Sequence, residues 1–327
     1  MRYRPGDSDN GATKTMTRFP GVLLLSFLGM TAIALAGADT NFFSGVAGRF
    51  RPSKPSAVMN YDVSFALMSI RLKRVANATM TATEGVWCGS VSNSPSPACM
   101  IDFFVATPRG GEGDMSLNKR TVSVLTLPDL KLITYVKRND EFIKPFFGKG
   151  RRMSYTEEYN FESAAMTYRR HDFVTGTVET NLQGMADLAR QSTEVADVIR
   201  TLYASYQGVP VVGRPVVDKI HFNVDGAVRT FELKMKMGRT SVPVLSRKLM
   251  ALYADMKPGA GCADRNESFS MWCVPFREFS RETHDVKLQQ LAETSLECSM
   301  VPLSGEYALF LGSLQCTLTT VGTHSRD

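Results

Sequence analysis

"DKIHFNVDGAVRTFELKMKM" runs from Asp218 to Met237, and its reading decides the fold. Ile220, Phe222 and Val224 alternate with polar residues before Asp225-Gly226, and Phe231, Leu233, Met235 and Met237 alternate after it. A period of two is the mark of a strand with one face buried. Asp-Gly supplies the positive φ that a two-residue type I′ turn needs, so the stretch predicts an antiparallel hairpin.

The same logic extends in both directions. In "VMNYDVSFALMSIRL" (Val58–Leu72), Tyr61, Val63, Phe65 and Leu67 share one parity. "MTATEGVW", "IDFFVATP" and "TVSVLTL" are short apolar or β-branched runs bounded by turn residues. "RMSYTEEYNF" places Met153, Tyr155, Glu157, Tyr159 and Phe161 on one side, and "AAMTYRRHDFVTGTVET" extends it as a further hairpin. The strand pattern returns in "SFSMWCVPF", "SLECSMVPL", "YALFL" and "SLQCTLTTV". "PRGGEGDMSLNKR" (Pro108–Arg120) is rich in Gly and charge and reads as a loop. The exception is Asn181–Gly208, where Leu188, Val195, Val198, Ile199, Leu202 and Tyr206 recur at helical spacing before Gly208. The expected fold is mainly β, with some α: a curved antiparallel sheet, half-barrel or open barrel, under one main covering helix.

A 327-residue chain with 43% hydrophobic residues can bury a sizeable core. Its formal charge of +6 lies partly in the N-terminal tail (Arg2, Arg4, Lys14 and Arg18 against Asp7 and Asp9), so a nucleic-acid partner is not expected. Arg18, the apolar run Gly21–Leu35, and Ala34, Ala36 and Ala38 describe a secretory signal cleaved after Ala36 or Ala38. Met16 competes with Met1 as the start. A membrane anchor is the rival reading, but the run is shorter than the ~20 apolar residues of a span, so the mature chain is not expected to cross a membrane. The organisation read from this is a signal at 1–38, a linker at 39–57, one β-rich domain at 58–321 and a tail at 322–327.

Export makes disulfides the default for the six cysteines, Cys88, Cys99, Cys262, Cys273, Cys298 and Cys316. Nearest-neighbour pairing is the simplest of the 15 connectivities. Cys88 would then bond Cys99 across the turn in "WCGSVSNSPSPACM" (Trp87–Met100), with Cys262–Cys273 and Cys298–Cys316 as the other bridges. No C-x-x-C pair occurs, and His171, His221, His284 and His324 lack ligand spacing, so neither metal nor cofactor is expected.

No catalytic signature stands out. Glu157 and Glu158 are adjacent and face opposite sides of a strand. His171 with Asp172 reads as a solvated pair, and Lys149, Arg151 and Arg152 in "FFGKGRR" as a solvated charge run. No G-x-S-x-G elbow, P-loop or H-E-x-x-H is present.

In order, "NYDVSFALMSIRL" (Asn60–Leu72), "DVIRTLYASYQG" (Asp197–Gly208), "HFNVDGAVRTFEL" and "MVPLSGEYALFLGSLQCTL" (Met300–Leu318) resemble a family of exported bacterial proteins, domain of unknown function 3108. The cysteines and the stretch from Gly259 to Phe269 depart from its pattern. The resemblance implies a curved sheet with helix cover, similar to periplasmic lipoprotein carriers, and no established activity.

The function expected is that of a periplasmic or secreted, non-enzymatic envelope protein whose candidate ligand is a lipid or other hydrophobic molecule. The 19 Phe and 17 Met suit an adaptable apolar surface. Its lining is expected from Tyr61, Val63, Phe65, Met68, Met153, Tyr155, Phe161 and Met235, with Met59, Met80, Met166 and Met237 nearby. The alternatives are an exported hydrolase with a composite site and a structural partner of other envelope proteins.

Overall fold

The β-branched and aromatic runs fold into one antiparallel sheet, seen in a computed structural model that describes residues 40–67, 70–89, 94–107, 115–143, 151–162, 167–181, 204, 206, 219–224, 227–259, 268–294, 300–309 and 312–324. The segment read as signal peptide, the first part of the stretch read as a loop (108–114) and Lys149 of the charge run lie outside these residues. So does the expected helix, of which only Ala204 and Tyr206 are described, both helical.

In chain order the strands are β1 (Phe50–Pro52), β2 (Ser56–Leu67), β3 (Ile70–Trp87), β4 (Ser96–Ala106), β5 (Met115–Thr126), β6 (Leu132–Ile143), β7 (Arg151–Asn160), β8 (Thr167–Asp172), β9 (Val178–Asn181), β10 (Lys219–Val224), β11 (Ala227–Val242), β12 (Arg247–Pro258), β13 (Ser268–Pro275), β14 (Met300–Leu309) and β15 (Gly312–His324). Neighbours in sequence pair as a meander, and β15 closes onto β2 through Cys316 opposite Val63 and Leu318 opposite Tyr61. An early strand and the last described strand thus meet in mid-sheet. Among the described strands the edges are β9 and β10, and the sheet is curved and open, not closed into a barrel. Val224 faces Ala227 across Asp225-Gly226, the register of a two-residue hairpin.

Strands about 4.8 Å apart would make a flat sheet of this size more than 60 Å wide with both faces wet. Rolling it buries one face, and sheets beyond about ten strands commonly curl. The inner face holds the main apolar core, including Met59, Tyr61, Met80, Phe103, Leu233, Met256, Met271 and Leu318. Two short helices plug it, α2 (Phe276–Arg281) and α3 (Val286–Thr294), through Phe276, Phe279, Leu288 and Leu291. Asp285 caps α3, its Oδ1 accepting from the Lys287 and Leu288 N–H groups at 2.9 and 3.2 Å. Tyr206 packs beside them, its hydroxyl donating to the Met250 carbonyl at 3.4 Å.

Several expectations need correcting. Residues 39–57 are not a plain linker: α1 (Thr40–Ala47) and β1 lay Phe43, Val46 and Phe50 over Trp87, Ala98, Val122, Val124, Ile133 and Val136 as a second core on the outer face. β1 pairs with β3 so closely that a Cβ on Gly85 would lie 2.3 Å from the Arg51 carbonyl oxygen. β5 begins at Met115, inside the stretch read as a loop, because pairing with β4 and β6 outweighs its polar composition. β15 continues to His324, past the expected start of the tail. A register shift between Val63 and Phe65 breaks the parity of β2, burying Ser64 and leaving Phe65 half-buried.

Of the three expected bridges, only Cys88–Cys99 joins two described residues, and the register of β3 and β4 sets these two apart. Cys88, Cys99, Cys273 and Cys316 carry thiols. Glu84 faces Cys99, so Cys88 stands four residues further along, about 13 Å at ~3.3 Å per residue. A disulfide needs Cα atoms within about 7 Å. Cys262 and Cys298 lie outside the described residues, and with them the other two expected pairs.

Candidate functional site

Four neighbouring strands carry an unusual load on the inner face. Alternation turns Val122 and Val124 of β5 outward to the second core, which sends Lys119, Thr121 and Ser123 inward. Opposite them on β6 stand Asn139, Lys137 and Tyr135, and β7 follows with Tyr155, Glu157 and Tyr159. β8 completes two rows, with Arg170 facing Glu157 and Asp172 facing Tyr155. The register therefore builds a grid: Ser123–Tyr135–Tyr159, then Thr121–Lys137–Glu157–Arg170, then Lys119–Asn139–Tyr155–Asp172.

Apart from half-buried Asp172 the grid is buried, and burial of charge demands pairing. Glu157 is 0% exposed and is held by Lys137 Nζ at 3.5 Å and Arg170 Nη1 at 3.3 Å. Lys119 Nζ lies 2.9 Å from Glu141 Oε2. Both cations beside Glu157 also face the Tyr155 ring, Arg170 Cζ at 4.3 Å from its centroid and Lys137 Nζ at 5.0 Å. Desolvation pushes the Asp172 carboxyl up, but N–H donors from Thr175 and Val174, the Thr175 hydroxyl and the Arg170 charge together bring it below the usual carboxylate range. Asn139 is 1% exposed, and neither its Nδ2 nor its Oδ1 has a hydrogen-bond partner.

On the apolar side of this grid, β4 presents Cys99, Ile101, Phe103 and Val105, and β2 and β3 present Met59, Tyr61, Ala78 and Met80. The Tyr61 hydroxyl donates to Met80 Sδ at 3.4 Å, and burial, with Cys316 nearby, pushes its phenol up. The lining expected from sequence divides between the two regions. Tyr61 and Val63 are buried in the apolar core, Phe161 and Met235 are half-buried against it, and Phe65 is set aside by the bulge. Tyr155 belongs to the polar grid, Met153 stands beyond it opposite Glu141, and Met68 lies outside the described residues. Glu157 and Glu158 do take opposite faces, only the first in the grid. Sequence reasoning missed Lys119, Lys137, Asn139, Glu141 and Arg170. The cross-strand match of Lys137 with Glu157 and Glu157 with Arg170 was the available signal, readable only once register is known.

A second concavity of ≈ 550 Å³ lies between Pro243–Leu245, the α2–α3 turn and β15, walled by Phe279, Leu288 and Val321. Its rim is the exposed ion pair of Arg247 with Glu282 at 2.7 Å. Among the described residues no cluster of three or more His, Cys, Asp or Glu is placed to hold a metal, and no helix is long and apolar enough to cross a membrane.

Fold and site together define an open antiparallel sheet whose rolled inner face is part apolar and part charged. No family model matches the chain, and no curated protein does. Among solved structures it is similar to a beta-barrel-like protein of domain of unknown function DUF1849 from Brucella abortus. That likeness has a TM-score of 0.43 and 8% identity, over 84% of this chain and 100% of that one.

Proposed function

We propose that this chain is an exported, non-enzymatic envelope protein that binds an amphiphilic, lipid-like ligand on the concave face of its sheet. One observation carries the reading: between β4 and β5 the inner face changes from Ile101, Phe103 and Val105 to Ser123, Thr121 and Lys119 while remaining buried. A ligand lying across that boundary would place an apolar chain on one side and a polar group on the other, as small-molecule sites with few convergent polar groups do. Met59 and Met80 fill the apolar side, and the flexibility of methionine lets such a surface repack around a guest. The ionised side chains of the grid are tied into pairs, which suits a scaffold better than proton transfer. The signal-like N-terminus and the resemblance to domain of unknown function 3108 support export.

Titration of the folded protein with a hydrophobic fluorescent probe, followed by displacement with an envelope lipid extract, tests this. Saturable binding and competition are expected. Absence of both, with no rise in melting temperature on adding the extract, would leave a structural envelope role in its place.

A further inference from the structure

We propose that Asn139 is the recognition point for the polar group of that ligand, and that this group is uncharged and both donates and accepts hydrogen bonds, as a hydroxyl or a primary amide does. The inference rests on the binding role argued above. Asn139 sits on the inner face in register with Lys119 on β5 and Tyr155 on β7, at 1% exposure. Its donor and its acceptor both lack partners. A buried amide left in this state is destabilising, and an apolar residue of the same size would remove the penalty. The nearest charges are engaged with each other, Lys119 with Glu141 at 2.9 Å and Lys137 with Glu157 at 3.5 Å. Asn139 is thus an uncharged side chain of the grid whose donor and acceptor both have spare hydrogen-bonding capacity. An ester or a carboxylate only accepts and would leave Oδ1 unsatisfied; a hydroxyl or primary amide satisfies both atoms.

The test uses four ligands sharing one oleoyl chain: monoolein, oleamide, methyl oleate and oleate. Each competes with the fluorescent probe for the folded full mature chain. Monoolein and oleamide are expected to compete about tenfold more strongly than methyl oleate and oleate, the factor associated with one well-made buried hydrogen bond. In Asn139→Leu the advantage disappears while methyl oleate competes as before. Asn139→Ala is read the same way should the leucine variant not fold. Equal competition by all four, strongest competition by oleate, or an advantage that survives both substitutions would overturn the assignment of Asn139 while leaving ligand binding intact. Failure of all four to compete would overturn the binding role itself, and this inference with it.

Discussion

Glu157 on β7 and Arg170 on β8 stand directly opposite each other, 3.3 Å apart, and neither reaches solvent to any useful extent. Two buried charges in register are a costly arrangement. It persists because Lys137 approaches the same carboxylate from β6 at 3.5 Å, so that three strands share one charge network. Replacing one member of such a network strands the rest: Glu157→Gln leaves two cations facing a neutral amide. A loss of about 3–5 kcal/mol is expected in urea unfolding. A change within experimental error would mean that the grid is solvated.

Acid should loosen the β8–β9 hairpin before it unfolds the sheet. Asp172 Oδ1 accepts from the N–H groups of Val174 at 2.9 Å and Thr175 at 3.0 Å, and its carboxyl sits below its ordinary pKa despite the opposing effect of desolvation. A depressed acid contributes stability that is present above its unfolded pKa and is lost as pH falls through the folded one. Hydrogen exchange across residues 172–178 should therefore accelerate below the carboxylate range, ahead of exchange in β2–β4. Asp172→Asn should abolish that pH dependence.

The thiols should separate by reactivity. Burial, with Asp62 adding to it for Cys316, pushes both the Cys273 and Cys316 thiols up to about 12, and the Cys273 Sγ also points to the Leu252 carbonyl at 3.7 Å. Reagents attack the thiolate, so these two should remain unmodified in the folded protein. Cys88 is half-exposed at the end of β3 and should be alkylated first. Mass mapping of protein labelled without reduction reads the order directly, and a Cys88–Cys99 peptide would overturn the observed register.

Gly85 should tolerate no side chain. Its Cβ would meet the Arg51 carbonyl oxygen at 2.3 Å and Phe50 Cζ at 2.8 Å, and backbone pinned by β-pairing cannot retreat. Gly85→Val is expected to cost about 1–3 kcal/mol and to release β1 and α1. Limited proteolysis should then cut within residues 40–52, where the native protein is expected to resist. Equal resistance would mean that the outer core does not depend on this contact.

Much of the sheet is legible in advance, because a period of two and an Asp-Gly turn admit few readings: β10 and β11 pair as their alternation requires. The helices are less so. Asp285 with Leu288, Leu291 and Ala292 carries a cap and an i, i+3, i+4 stripe, but over nine residues this competes with the strand pattern on both sides. The polar grid is the least legible part. In "LITYVKRNDEFI" both faces of β6 are polar, Lys137, Asn139 and Glu141 against Arg138 and Asp140, so alternation cannot say which goes inside. The choice is made elsewhere, by α1 covering Val122, Val124 and Val136 on the outer face and by the register shift beside Leu125. These are tertiary facts, absent from any local window.

If an amphiphile lies on the rolled inner face across the step from Phe103 on β4 to Lys119 on β5, it should travel with the protein. Native mass spectrometry of the protein purified gently from its own host tests it most directly. A folded species carrying about one small molecule per chain is expected, and the molecule that organic extraction releases should contain both an apolar chain and an uncharged hydrogen-bonding group. A ligand-free mass across the folded charge states, unchanged after incubation with envelope lipid, would contradict it.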